Sequence, residues 1–126
     1  MLKYLLVSFA TAIACCAVLV AQSDAAGAVG TWEGESLCTV RPSACHDEHV
    51  IYEISRKQQK LVMSADKVVN GERQNMGDLE CTYADKTLTC PFPRGVWAFT
   101  VTGTKMSGTL KLPDGTLFRK VAVNKK

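Results

Sequence analysis

One short segment contains the residue types in this sequence that come closest to a reactive site. In "CHDEHV", residues 45–50, His46 and His49 stand three apart and flank Asp47 and Glu48. Histidine and carboxylate side chains are ligands that zinc accepts. An extended segment, however, sends the two histidines to opposite faces, and the chain has no third histidine. We therefore predict a polar beginning of a strand, with no metal site and no cofactor.

Catalytic groups do not assemble elsewhere in the sequence. The two histidines lie in that one segment, the cysteines are expected to be oxidised, and no glycine-rich phosphate loop is present. The balance of 15 Lys and Arg against 12 Asp and Glu is mild and evenly spread. It does not favour a nucleic acid or an anionic membrane as partner. We predict that the protein is not an enzyme and does not bind nucleic acid.

The N-terminus is typical of a secretory signal peptide. Lys3 precedes an apolar run from Leu5 to Ala21, and the small residues Ser23 and Ala25 predict cleavage after Ala25. The alternatives are a retained membrane anchor and acylation at Cys15. The run is short for a membrane span, and apolar residues continue past Cys15 where a lipoprotein normally becomes polar.

We therefore expect residues 1–25 to be removed and residues 26–126 to form a single exported domain, periplasmic or secreted, with no integral membrane segment in the mature chain. That domain contains four cysteines: Cys38, Cys45, Cys81 and Cys90. An even number of cysteines in a small exported chain predicts two disulfides.

Two-residue alternation of apolar and polar residues predicts about eight antiparallel strands. The dipeptides "NG" at 70 and "DG" at 114 separate alternating segments, and helical periodicity is absent after the signal peptide. We predict a two-residue turn at Asp114-Gly115, which sets Leu112 opposite Leu117 and Leu110 opposite Arg119. The preceding hairpin then sets Trp97 opposite Leu110, so one apolar face runs through three strands.

The hairpin around Asp85-Lys86 predicts a disulfide. A two-residue turn there places Cys81 opposite Cys90 in a non-hydrogen-bonded pair, where Cα atoms approach to about 4.5 Å, within the range of a disulfide. We therefore pair Cys81 with Cys90, and Cys38 with Cys45 by elimination.

The turn at "VNG", residues 69–71, allows two registers. A two-residue turn would set Met63 opposite Asp78 and mix the two faces. A three-residue loop sets Leu61 opposite Leu79 and keeps the faces apart, so we prefer it.

A continuous apolar face must be covered, and eight strands can cover it by closing into a barrel. Closure brings the first strand, with Gly30 and Trp32 on its inner side, beside the last strand. Arg119 is the only cation in the middle of that last strand's inner row. Because an indole face attracts a desolvated guanidinium, we predict that Trp32 packs against Arg119.

A Gly-x-Trp at the first strand, here Gly30-Thr31-Trp32, combined with an inward Arg on the last strand, here Arg119, resembles the calycin superfamily of lipocalins and fatty-acid-binding proteins. The ending "LPDGTLFRKVAV" also looks like a group of small exported bacterial proteins of unassigned role. The resemblance implies an eight-stranded, up-and-down antiparallel barrel in which Gly30, Trp32 and Arg119 close one end. The alternative that the family offers for Arg119 is an interior arginine that receives a ligand carboxylate, as in fatty-acid carriers.

The inner face offers a set of aromatic and methionine side chains as a candidate binding site, together with Arg119. The set comprises Tyr52, Met63, Trp97, Phe99 and Met106. The alternative interpretation is an ordinary core. Gly34 and Gly108 on the same face indicate either open space or relief of a barrel corner.

Our leading hypothesis from the sequence is a non-catalytic module that binds a small hydrophobic or amphipathic molecule inside the barrel. The alternative is a module that binds an extracytoplasmic protein, or inhibits an enzyme, through the loops at 39–44 and 91–95. Two prolines stiffen the second loop around Arg94.

Overall fold

The computed structural model of the protein describes residues 25–126, which form eight β-strands preceded by one turn of 3-10 helix, Ala25–Gly27. The strands are β1 (Gly30–Cys38), β2 (Glu48–Lys57), β3 (Lys60–Val69), β4 (Glu72–Ala84), β5 (Thr87–Phe92), β6 (Gly95–Thr102), β7 (Lys105–Lys111) and β8 (Leu117–Lys125). The predicted signal peptide lies outside the described residues except for Ala25. Among residues 25–126, no helix has the length and apolar character needed to cross a membrane.

The strands form a closed antiparallel barrel. Each strand pairs with its neighbours in sequence, and β8 pairs back to β1. The alternation that predicted the inner face of β2 is visible in its burial, since Val50, Tyr52 and Ile54 are each exposed by 2% or less. The predicted all-β fold and its eight-stranded, up-and-down topology are confirmed.

The predicted pairing of β6, β7 and β8 is confirmed along the inner face. Trp97 lies opposite Leu110, which in turn lies opposite Arg119, and Phe99 lies opposite Gly108. Because side chains alternate with a period of two, one correct pair puts the whole apolar set on the inside.

The turn between β7 and β8 differs from the prediction. Leu112 pairs with Thr116 and accepts a hydrogen bond from the N–H of Gly115, whose φ is +88°, so the loop has three residues. The predicted two-residue turn and the pairing of Leu112 with Leu117 are therefore wrong. Phe118 is an extra, bulged residue in β8, and it restores the predicted register for the rest of the strand.

The register of β3 and β4 is also a correction. Asn70-Gly71 forms the two-residue turn that the face pattern disfavoured, with φ of +52° and +80°. A bulge at Met76 then shifts the ladder, and Leu61 lies opposite Cys81 rather than Leu79. The predicted three-residue loop is therefore wrong, and it displaced the pairing of β3 with β4 by two residues. A shift of two leaves every side chain on its face, so the apolar pattern could not detect it.

Both predicted disulfides are confirmed. Cys38 and Cys45 are bonded across the loop between β1 and β2, with Cα atoms 6.0 Å apart. Cys81 and Cys90 are bonded across β4 and β5, with Cα atoms 4.3 Å apart. The short second distance is the one expected for a non-hydrogen-bonded pair.

One end of the barrel is closed around Trp32. Its side chain is fully buried, and its indole N–H donates a hydrogen bond of 3.0 Å to the carbonyl of Ala28, just after the 3-10 helix. The cation near its ring is Lys125, whose ammonium lies 5.4 Å from the ring centroid. The predicted contact between Trp32 and Arg119 is therefore wrong.

The register of the closing strands explains this difference. In the β1–β8 pair, Trp32 lies opposite Lys125, whereas Arg119 lies opposite Cys38 near the other end of the barrel. Gly30 lies at the same end of β1 as Trp32, and a Cβ there would come within 2.7 Å of the Lys125 side chain. At this end of the barrel, Gly30 and Trp32 lie beside Lys125 instead of the predicted Arg119.

Gly34 and Gly108 mark close approaches and not open space. A Cβ at Gly34 would meet the carbonyl of Ala122 and come within 2.8 Å of the Cα of Val123. A Cβ at Gly108 would run into the ring of Phe99. Both glycines let a neighbouring strand or ring pack tightly against the backbone.

Candidate functional site

The end of the barrel opposite Trp32 carries a cavity. The links from β1 to β2, β3 to β4, β5 to β6 and β7 to β8 all lie at this end, because the strands alternate in direction. We call it the open end. The cavity has a volume of about 550 Å³, a size typical of small-molecule sites.

Large apolar side chains form most of the cavity wall. They are Tyr52, Met63, Met76, Leu79, Phe92, Trp97, Leu110, Leu112 and Phe118. Four charged side chains, two acids and two arginines, also line it: Glu48, Asp78, Arg94 and Arg119. Such a wall suits a ligand that is mainly apolar and has a small polar part.

The structure divides the predicted binding residues into two groups. Tyr52, Met63, Trp97 and Arg119 line the cavity. Phe99 and Met106 are not part of the cavity wall and pack within the buried core.

Phe99 supports the aromatic residues of the wall. Its ring lies edge-on to Tyr52, with centroids 5.8 Å apart, and stacks on Trp97 with centroids 6.0 Å apart. Aromatic pairs at these distances are attractive. Phe99 therefore orients two wall residues from behind.

Arg119 is held in the wall by neighbours on β1 and β2. One guanidinium nitrogen donates to the hydroxyl of Ser36 at 3.2 Å and to the Ser36 carbonyl at 3.4 Å. Another lies 3.7 Å from the carboxylate of Glu48. The side chains of Arg119 and Glu48 are 11% and 20% exposed, so water screens this pair only partly.

Tyr52 lies in the same part of the wall. Burial raises the pKa of its phenol well above the ordinary value, with Arg119 acting to lower it and Glu48 to raise it. The hydroxyl therefore keeps its proton at neutral pH, when it offers one donor and two lone pairs. It can hydrogen-bond a polar ligand group but does not act as a base.

β4 and β5 also contribute residues to the cavity wall. These strands pair only over residues 82–84 and 87–89, whereas β4 pairs with β3 over most of its length. Leu79 and Phe92, which lie beyond the Cys81–Cys90 disulfide on the two strands, both line the cavity.

Glu48 is a charged, mostly buried wall residue that the sequence analysis missed. It stands in "CHDEHV", where the neighbouring histidines drew attention to metal chemistry. The signal that would have found it is alternation, because Glu48, Val50 and Tyr52 share one face of β2. A strand that begins at residue 48 puts this carboxylate inside the barrel.

The histidines have other roles. His49 lies on the outer surface between two carboxylates, 2.9 Å from Glu33 and 2.7 Å from Glu35, and Lys126 also pairs with Glu33. Hydrogen bonds to Glu33 and then Glu35 raise the pKa of His49. His46 is exposed. Over the described part of the chain, no three His, Cys, Asp or Glu side chains are grouped as metal ligands.

The two loops proposed for protein recognition differ in their relation to the cavity. Residues 41–44 are exposed, and Arg41 is paired with Asp47 at 2.7 Å. Arg94, in the 91–95 loop, is exposed and lines the cavity. The second loop is therefore part of the cavity mouth.

The sequence matches no protein-family model, and no curated protein matches it significantly.

Proposed function

We propose that this chain is an exported, non-catalytic binding protein whose calycin-like barrel holds a small hydrophobic or amphipathic molecule. The observation that carries the proposal is the open-end cavity of about 550 Å³, with its apolar wall and few charged groups. Known ligand sites of this kind are concave, mainly apolar and contain a small number of placed polar groups. Two disulfides agree with export, because they persist in oxidising compartments.

The division of the barrel into two ends supports the same proposal. Trp32 and Ala28 are completely buried at the closed end, which makes that end a structural base. Trp97 and Leu79 are only partly buried and face the cavity. A partly buried aromatic wall above a fully packed base is what a binding barrel requires, whereas a purely structural barrel would be filled throughout.

The proposal is tested by filling the cavity. Ala65, a small residue of the wall that is 9% exposed, is replaced by Phe, and Ala84→Phe, at an exposed outer position of β4, is the matched control. The uncharged dye N-phenyl-1-naphthylamine, which fluoresces in apolar sites, reports on binding. We expect saturable binding by the natural chain and by Ala84→Phe, and at least roughly tenfold weaker binding by Ala65→Phe, since the added ring occupies part of the cavity.

Circular dichroism must show the same strand content in all three proteins. Equal dye binding by the two variants would place the dye outside the barrel and contradict the proposal. Extraction of the natural protein from the exported fraction, followed by mass spectrometry, would identify a molecule that purifies with it.

A second candidate function is binding of an extracytoplasmic protein, including enzyme inhibition, through the loops at 39–44 and 91–95. The exposed 39–44 loop favours it, because Cys38–Cys45 and the Arg41–Asp47 pair hold that loop at both sides. A chain with both loops replaced by Gly-Ser segments tests it by affinity capture. Recovery of the same partners by the natural chain and the replaced chain would contradict this candidate.

A further inference from the structure

The arginine inside the barrel does not present an unbalanced positive charge to a ligand. Glu48 lies in the same wall, 3.7 Å from Arg119, and both side chains are mostly buried. The two other charged wall residues, Asp78 and Arg94, are exposed and also opposite in sign. The formal charge of the cavity wall is therefore zero.

This balance matters for the kind of ligand that the cavity accepts. A carboxylate that approached Arg119 would also come close to the carboxylate of Glu48, and the repulsion would offset much of the attraction at the short distances involved. The carboxylate would in addition lose its hydration. An uncharged polar group avoids both penalties.

The geometry of the pair leaves a place for a group that both donates and accepts hydrogen bonds. At 3.7 Å, the nitrogen of Arg119 and the oxygen of Glu48 are beyond the 2.7–3.2 Å of a direct N–H···O hydrogen bond. A hydroxyl between their outer edges can accept from Arg119 and donate to Glu48. The protonated phenol of Tyr52 lies in the same wall and is within electrostatic range of both.

We propose that the ligand of the open-end cavity is an uncharged amphiphile, with a hydroxyl or similar donor and acceptor group bound at Arg119 and Glu48, and not a fatty acid carboxylate. This inference rests on the proposed binding function and adds the chemical class of the ligand. The apolar part of the molecule lies against Met63, Trp97 and Leu110, which share the cavity with the charged pair.

The test compares two ligands that differ only in the polar group. 1-Decanol and decanoate displace N-phenyl-1-naphthylamine from the protein at neutral pH, below the concentrations at which either aggregates. We expect the alcohol to bind about tenfold more tightly than the acid, the ratio for one unfavourable charge contact at a partly screened site.

Glu48→Gln tests the role of the acid directly. The substitution keeps the shape of the side chain and leaves Arg119 as an uncompensated cation, so the affinity for decanoate should rise about tenfold and the preference for the alcohol should vanish. Glu53→Gln is the matched control, since Glu53 lies on the same strand and pairs with an arginine, Arg73 at 3.2 Å, but on the outer surface. It should leave both affinities unchanged.

The outcomes separate this inference from the function on which it rests. Failure of the dye, the alcohol and the acid to bind would overturn both. Tighter binding of decanoate than of decanol by the natural protein would overturn the uncharged ligand and leave the binding function standing. An unchanged preference in folded Glu48→Gln would overturn the assignment of the polar group to this pair. If Glu48→Gln does not fold, the comparison of the two ligands on the natural protein still decides the question.

Discussion

Lys125, and not Arg119, should be the cation that is energetically coupled to Trp32. We would replace Trp32 by Leu and Lys125 by Met, singly and together, and repeat the cycle with Arg119→Met. Trp32→Leu removes a fully buried ring and its hydrogen bond to the carbonyl of Ala28. We expect it to lower the free energy of unfolding by about 3 kcal/mol.

The coupling energies follow from the positions of the two cations. Lys125 lies 5.4 Å from the indole centroid, and a partly exposed cation at that distance is worth about 0.5–1 kcal/mol. Arg119 pairs with Cys38, about six residues or roughly 20 Å farther along β1 from Trp32. Substitutions that far apart are additive within about 0.3–0.5 kcal/mol.

Urea denaturation with the disulfides intact measures these energies. Trp97 is the second of the two tryptophans in the chain, so its fluorescence still reports unfolding after Trp32 is replaced. Lys120→Met, at an exposed position of β8, is the matched control and should show no coupling. A larger coupling of Trp32 to Arg119 than to Lys125 would refute the register of the closing strands.

Two further changes test other parts of the structure. Because hydrogen bonds to Glu33 and then Glu35 raise the pKa of His49 above 6.5, its contribution to stability is complete below that pH and is lost as pH rises through the folded value. The urea midpoint of His49→Gln should therefore fall below that of the natural protein at acidic pH and converge with it at alkaline pH. A constant difference across that range would contradict this account. Gly34→Ala forces a Cβ against the backbone of β8 and should destabilise the barrel by about 1–3 kcal/mol. Gly27→Ala, where a Cβ meets nothing within 4 Å, should be neutral, and equal thermal midpoints for these two glycine variants would refute the close approach at β1 and β8.

The sequence alone determined the class of fold and the faces of its strands. Alternation has a period of two. Once one inward residue of β2 or β6 is known, the other inward positions, such as Tyr52 and Phe99, follow from it. The Cys81–Cys90 disulfide followed in the same way from a hairpin with a well-defined turn. These features depend on residues close in sequence, and local rules are sufficient for them.

The tertiary structure decided the strand registers, which depend on the exact number of residues between a turn and each paired position. The bulges at Met76 and Phe118 each insert one residue. Gly77, with a φ of +121°, is a local sign of the first bulge, but no residue pattern marks the second. The pairing of β1 with β8 joins the two ends of the barrel, and only the closed geometry sets Trp32 opposite Lys125.

The candidate site depended on closure in the same way. Sequence alternation placed Tyr52, Trp97 and Arg119 on the inside, but it could not say which of the inward residues face empty space and which are packed. Closure brings Glu48 on β2 beside Arg119 on β8, two residues that lie far apart in the sequence. The charge that a ligand meets is therefore a property of the folded barrel, because it arises from two residues that no local sequence rule connects.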